Sequence, residues 1–114
     1  MRLIGAAIIL MALSIRVDAA GQQYRVWGFG VRSCGTWIAD KEDQQMPWKR
    51  LIDIAWVEGF LSAADRDNAL VNAASHRTDS DAMAAWIDQY CAANPLAWIS
   101  DAAGRFSLEL GKMR

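Results

Sequence analysis

The sequence predicts an all-α fold: a small four-helix domain with one disulfide linking helices 1 and 3, following an N-terminal signal segment. Three observations predict it. Apolar residues recur at three- and four-residue spacing in four stretches, the spacing of one helix face. The two cysteines each fall on such a stretch. No alternating run is long enough to argue for a strand. With 114 residues and 54% hydrophobic composition, the chain fits one compact domain and is too apolar for intrinsic disorder.

Residues 1–19 read as a secretory signal. Arg2 supplies the positive start, residues 3–15 are apolar except for Gly5 and Ser14, and Val17 and Ala19 suit the −3 and −1 positions of a cleavage site. The apolar run is shorter than the roughly 20 residues a bilayer core demands, so no stable membrane insertion is expected after cleavage. No cysteine follows the cleavage point before Cys34, which argues against a lipid anchor on the first mature residue. The expected localisation is periplasmic. Removing Arg2, Arg16 and Asp18 takes the formal charge from −1 to −2. The remaining Lys and Arg are scattered, which leaves no basic stripe for nucleic acid.

Residues 20–32 contain Gly21, Gly28 and Gly30 among Tyr24, Val26, Trp27 and Phe29, and are expected as an extended arm before a helical domain at 33–114. Ser33 can cap a first short helix reaching about residue 43, with Cys34, Trp37 and Ile38 on one face. Pro47 suits the first position of the second helix, whose inward stripe reads as Trp48, Leu51, Ile52, Ala55, Trp56, Gly59, Phe60 and Ala63, with Lys49, Arg50, Asp53 and Glu58 mainly off it. Gly59 costs a helix about 1 kcal/mol against Ala, which suggests another backbone passing close by. Residues 65–80 turn polar and read as a long solvated connection. Asp65-Arg66-Asp67 begins like a calcium loop, but Ala69 stands where an acid is needed, and the central Gly and closing Glu are missing. No metal is expected.

Asp79, or a Thr78-x-x-Asp81 box, can cap the third helix, on which Met83, Trp86, Ile87, Tyr90 and Cys91 share a face. Asn94-Pro95 is read as the end of that helix and the cap of the last one, whose inward stripe is Leu96, Ile99, Ala102, Ala103, Phe106 and Leu110.

In an oxidising compartment an even cysteine count reads as paired. A Cys34–Cys91 disulfide closes a loop of roughly 58 residues, worth about 4 kcal/mol in the chain-entropy model. A reactive thiol is the alternative, but the single histidine, His76, lies in a polar stretch. Two cysteines with no neighbouring histidine do not fill a zinc site. No catalytic residues and no cofactor are expected, because the chain carries neither paired carboxylates at an informative spacing nor a glycine-rich phosphate loop. Glu58, beside the apolar stripe of the second helix, is the candidate acid sensor, able to pair with an arginine such as Arg105.

An exported helical chain with Cys34-x-x-Trp37-Ile38, the Trp56-Val57-Glu58-Gly59-Phe60 stretch and a second cysteine late in a later helix resembles the HdeA/HdeB-like small periplasmic acid-stress chaperone family over about residues 33–110. The resemblance implies a helical domain with one internal disulfide that is a homodimer at neutral pH and loosens in acid to bind unfolding clients. The chain departs from the family in carrying only Lys112 and Arg114 at its end, without a Lys-rich tail, and in having six tryptophans. Protonating the carboxylates at pH 2 brings the mature chain to about +12, a charge that favours expansion and exposes the Trp48, Trp56 and Phe60 face for clients. A rival reading is a periplasmic binding or immunity protein that plugs a secreted hydrolase. In size and helix content the chain is similar to the Tai-type immunity proteins of type VI secretion. The plug would use the 65–79 connection and aromatics such as Tyr24 or Trp27 as anchors, although core packing is the better expectation for those rings.

Overall fold

Polar side chains fix where each helix starts, because the first N–H groups of a helix have no partner within it. The computed structural model describes residues 25–113. These form a short 3-10 turn, Gly28–Val31, followed by α1 (Cys34–Glu42), α2 (Trp48–Asp67), α3 (Ala69–Ser75), α4 (Ser80–Ala93) and α5 (Ile99–Lys112). The Ser33 hydroxyl accepts the Thr36 N–H at the head of α1. Pro47, with a helical φ of −63°, precedes α2. Asn68 Oδ1 accepts the N–H groups of Leu70 and Val71 to start α3, and Asp79 accepts that of Ala82 to start α4. At α5 the Asp101 carboxylate reaches back to accept the Trp98 N–H at 2.9 Å.

The core lies where all five helices meet. α5 contributes Ile99, Ala102, Ala103, Phe106 and Leu110, and α4 contributes Met83, Ala84, Ile87 and Cys91. Trp37, Val57, Val71 and Ala74 complete it from α1, α2 and α3. The fully buried Cys34 and Cys91 form a disulfide with their Cα atoms 4.7 Å apart. Backbone hydrogen bonds add a second tie. Ile99 N–H donates to Arg32 O at 2.9 Å and Cys34 N–H to Ala97 O at 2.7 Å, joining the start of α1 to the start of α5 beside a Ser33–Trp98 bridge. Among the described residues no helix is long and apolar enough to cross a membrane.

The all-α class, the Cys34–Cys91 bond and the inward faces of α4 and α5 agree with the sequence reading; other details do not. There are five α-helices among the described residues, not four, so the disulfide joins the first and fourth. The extra helix, α3, lies inside the supposed polar connection. Asn68 caps it, and its two core-facing residues, Val71 and Ala74, are spaced too sparsely to stand out. Asp65-Arg66-Asp67 is the last turn of α2, not a loop. The final helix starts at Ile99, four residues beyond Pro95, and Asn94 instead closes α4 with its N–H on Tyr90 and Cys91 carbonyls. Leu96, expected inside, is 92% exposed in the turn between them.

The phase of α2 is the main correction. Its buried residues are Asp53 and Val57, with Ile54, Leu61 and Ala64 half-buried, whereas Trp48 is 52% and Leu51 67% exposed. Apolar side chains occupy two adjoining faces of this helix, so periodicity alone could not choose between them. A Cβ on Gly59 would meet nothing within 4 Å, so no backbone passes there. Residues 25–27 have no regular secondary structure, with Trp27 extended at φ −109° and ψ 148°, and the chain then coils into the 3-10 turn; Trp27 is 68% exposed rather than packed in the core. The signal segment 1–19, the first residues of the arm and Tyr24 lie outside the described residues.

Candidate functional site

The second apolar face of α2 is only partly covered, and what covers it is the arm. Gly28 takes a positive φ of 68°, a conformation glycine adopts without the Cβ penalty of other residues, and so turns the chain over Trp56. Gly30 is buried against the same indole, and a Cβ there would overlap its six-membered ring. The Trp56 Nε1–H donates to the Trp27 carbonyl at 2.7 Å, fastening arm to helix. Trp56 also packs on Phe60, with ring centroids 5.7 Å apart.

Between arm and helix runs an open groove of about 710 Å³. Val26 and Trp27 form one wall, Ala55, Trp56, Gly59, Phe60 and Ala63 the other, and Arg25 and Asp67 stand at its margin. The Arg25 guanidinium lies 4.1 Å from the centroid of the Trp27 ring, a cation–π contact that braces an otherwise exposed indole. Small residues at 55, 59 and 63 leave the floor shallow and accessible. Gly59 therefore lies open to the groove, with no backbone packed against it. Trp48 and Leu51 extend the exposed apolar surface toward the start of α2.

Beneath this helix lies a charged cluster that sequence reasoning missed. Arg32, between the arm and α1, donates from Nη1 to Asp53 Oδ1 at 3.0 Å and places Nη2 2.7 Å from Asp40 Oδ2. The Asp53 side chain is fully buried and that of Asp40 nearly so. Burial, together with the Asp40 carboxyl within hydrogen-bonding reach, pushes the Asp53 pKa up to about 7, against the opposing pull of Arg32 and Arg50. A second group surrounds Asp88 on α4. It accepts Trp37 Nε1–H at 2.7 Å, Lys41 at 2.7 Å and Arg50 at 2.9 Å, while Arg50 also lies over the Trp37 ring. Burial opposes its ionisation, but the hydrogen bonds from Lys41 and Trp37 and the Arg50 charge hold Asp88 below the ordinary carboxylate value. The signal for Asp53 was its place four residues before Val57, at the head of a row that continues to Leu61 and Ala64.

Of the residues singled out from sequence, Trp56 and Phe60 line the groove together, and Trp48 is exposed outside it. Cys34 and Cys91 are bonded in the core. Glu58 is exposed, and its Oε1 accepts the Ser80 hydroxyl rather than meeting Arg105. The 65–79 stretch is mostly helical and packs through Val71 and Ala74 into the core, which leaves little of the protruding loop expected for a plug. Among the described residues no group of three or more His, Cys, Asp and Glu could hold a metal ion. Comparison with family models, with curated proteins and with solved structures finds no match to this chain, so a functional reading rests on this geometry.

Proposed function

We propose that this is an exported protein-binding module, a periplasmic chaperone-like holder that takes apolar segments of unfolding proteins into the groove between its arm and α2. The observation that carries the reading is the groove itself: apolar walls, small residues along its floor and an exposed Trp27 at its rim. Monomeric proteins seldom leave a continuous apolar surface of this kind uncovered unless something binds it, and tryptophans are over-represented among residues that anchor such contacts. The internal disulfide supports an oxidising compartment.

This surface is open while the helices are packed, so client capture does not depend on acid expansion. The Trp48, Trp56 and Phe60 face serves in the folded protein, and the acid-stress role becomes an extension of a neutral-pH activity. The plug reading keeps one supporting observation, the exposed Trp27 braced by Arg25, because a rigid aromatic at a groove rim also suits a single dedicated partner.

The test is capture of carboxymethylated, permanently unfolded lactalbumin by the purified exported form, at neutral pH and again at pH 2–3, alongside Ala55→Glu. Ala55 is exposed in the groove, so the charge should spare the fold and weaken binding at least about tenfold, the equivalent of 1.4 kcal/mol. Equal binding by both proteins, or none at neutral pH, would reject the groove as the client site. Recovery of one stoichiometric hydrolase, with no capture of the unfolded probe, would favour the plug.

A further inference from the structure

We propose that Asp40 and Asp53 share a single proton beneath Arg32, and that this protonated pair is a latch fastening the arm, and so one wall of the groove, onto α1 and α2. The geometry favours the proton. Asp40 and Asp53 both contact the one Arg32 guanidinium, and two buried carboxylates held that close have only acceptor oxygens when both are ionised, so a proton between them turns proximity into a bond. Asp53 Oδ2 is buried and has no donor. Arg32 engages the pair with one nitrogen on each residue, so a single guanidinium faces two acids. With one proton shared, the charges of that triad balance by themselves; without it, the second carboxylate is left to Arg50, which also pairs with Asp88.

Arg32 also makes the triad a latch. It is the residue between the 3-10 turn and α1, and its carbonyl accepts the Ile99 N–H at 2.9 Å. Its guanidinium lies 4.8 Å from the centroid of Phe29, one turn back along the arm. Losing the proton sets two like charges against each other at the joint from which Trp27, Gly28 and Gly30 reach Trp56. The groups facing the pair are Arg32 from the arm, Asp40 from α1 and Arg50 from α2, with Asp88 of α4 and Lys41 of α1 engaged near Arg50. The 3-10 turn, Gly28–Val31, contributes no titratable side chain, and the core-facing residues of α5 contribute none.

The direction of the response follows from linkage. Asp53 binds its proton more tightly in the folded chain, with a pKa of about 7 against an ordinary 3.8, so the latch gains strength as pH falls through 7 and reaches full strength near 4. This pair thus firms the fold in mild acid, where an acid-triggered chaperone would loosen. In that interval the folded-to-unfolded ratio rises by up to about tenfold for each pH unit.

This inference rests on the groove reading only for what the arm does; the latch is measured without a client. Thermal unfolding of the exported form is followed between about pH 8.5 and about pH 4.5, together with the infrared carbonyl band of a protonated carboxyl near pH 5.5 and the exchange protection of the Ile99 amide. The wild type should gain stability as pH falls, show the band and protect Ile99 more strongly. Asp53→Asn, which mimics the protonated acid, should be more stable than wild type at the alkaline end, lack the pH response and lack the band. A wild type that loses stability over that range, or a variant that keeps the band, overturns the proposal. If Asp53→Asn does not fold, Asp40→Asn and the wild-type infrared band decide the matter alone. Loss of lactalbumin capture at every pH with an intact latch profile would count against the groove and not against the latch.

Discussion

The seating of the arm on Trp56 can be tested by placing a methyl group where the structure has room for none. Gly30→Ala puts a Cβ into the six-membered ring of Trp56, and overpacking of this kind costs about 1–3 kcal/mol because neighbouring atoms must move. Trp56→Leu removes the colliding ring and also the 2.7 Å hydrogen bond to the Trp27 carbonyl. It should cost about 1–3 kcal/mol through lost packing and that one bond. The informative quantity is the double variant. With the indole gone the new methyl meets nothing of it, so Gly30→Ala should be nearly neutral in that background and the two costs should fall short of additivity by at least about 1 kcal/mol. Urea unfolding of the four proteins, read by far-ultraviolet circular dichroism, supplies the cycle. Additivity within about 0.5 kcal/mol would show that arm and indole do not press on each other in solution, and the groove would lose its arm-side wall.

Two further predictions concern the polar and covalent ties of the core. Asp88→Asn leaves Arg50 without its carboxylate while keeping an acceptor for Trp37, and should destabilise the protein at neutral pH by about 2–3 kcal/mol in urea unfolding. Because the folded chain holds Asp88 below 3.8, its contribution is present above that value and disappears as pH falls below it, opposite in sign to Asp53, so the difference between wild type and variant should vanish in strong acid. Reducing the Cys34–Cys91 bond releases a constraint between residues 57 apart in sequence and should lower stability by about 4 kcal/mol, measured as a fall in the urea midpoint with dithiothreitol present. An unchanged midpoint would mean that the backbone ties between α1 and α5 hold the helices without it.

Much of this fold was legible where one face of a helix is apolar and the other is not. On α4 and α5, Met83, Ile87, Cys91, Ile99, Phe106 and Leu110 keep one phase and are buried as that phase requires. Caps at Ser33 and Asp79 were readable because a short polar side chain stands immediately before each helical run. α2 resisted the same treatment, since it packs one side against the core and offers a second apolar side to the arm and groove. A pattern that assumes one buried stripe averages the two and lets the acid at position 53 fall outside it. α3 was hidden because a seven-residue helix with two core contacts leaves almost no periodicity to detect. Of the site, Trp56 and Phe60 could be named from their spacing. The triad Arg32, Asp40 and Asp53 could not, because it is assembled by the approach of three segments separated along the chain.

The placement of Arg25 and Val26 beside Trp27 has a practical consequence. Arg25, the first of the described residues, and Val26 both line the groove. A bulky label coupled at position 25 or 26 would sit on the surface whose occupancy is being assayed and compete with added probes, whereas Met113, the C-cap of α5, is not part of the groove lining and offers a labelling position outside it.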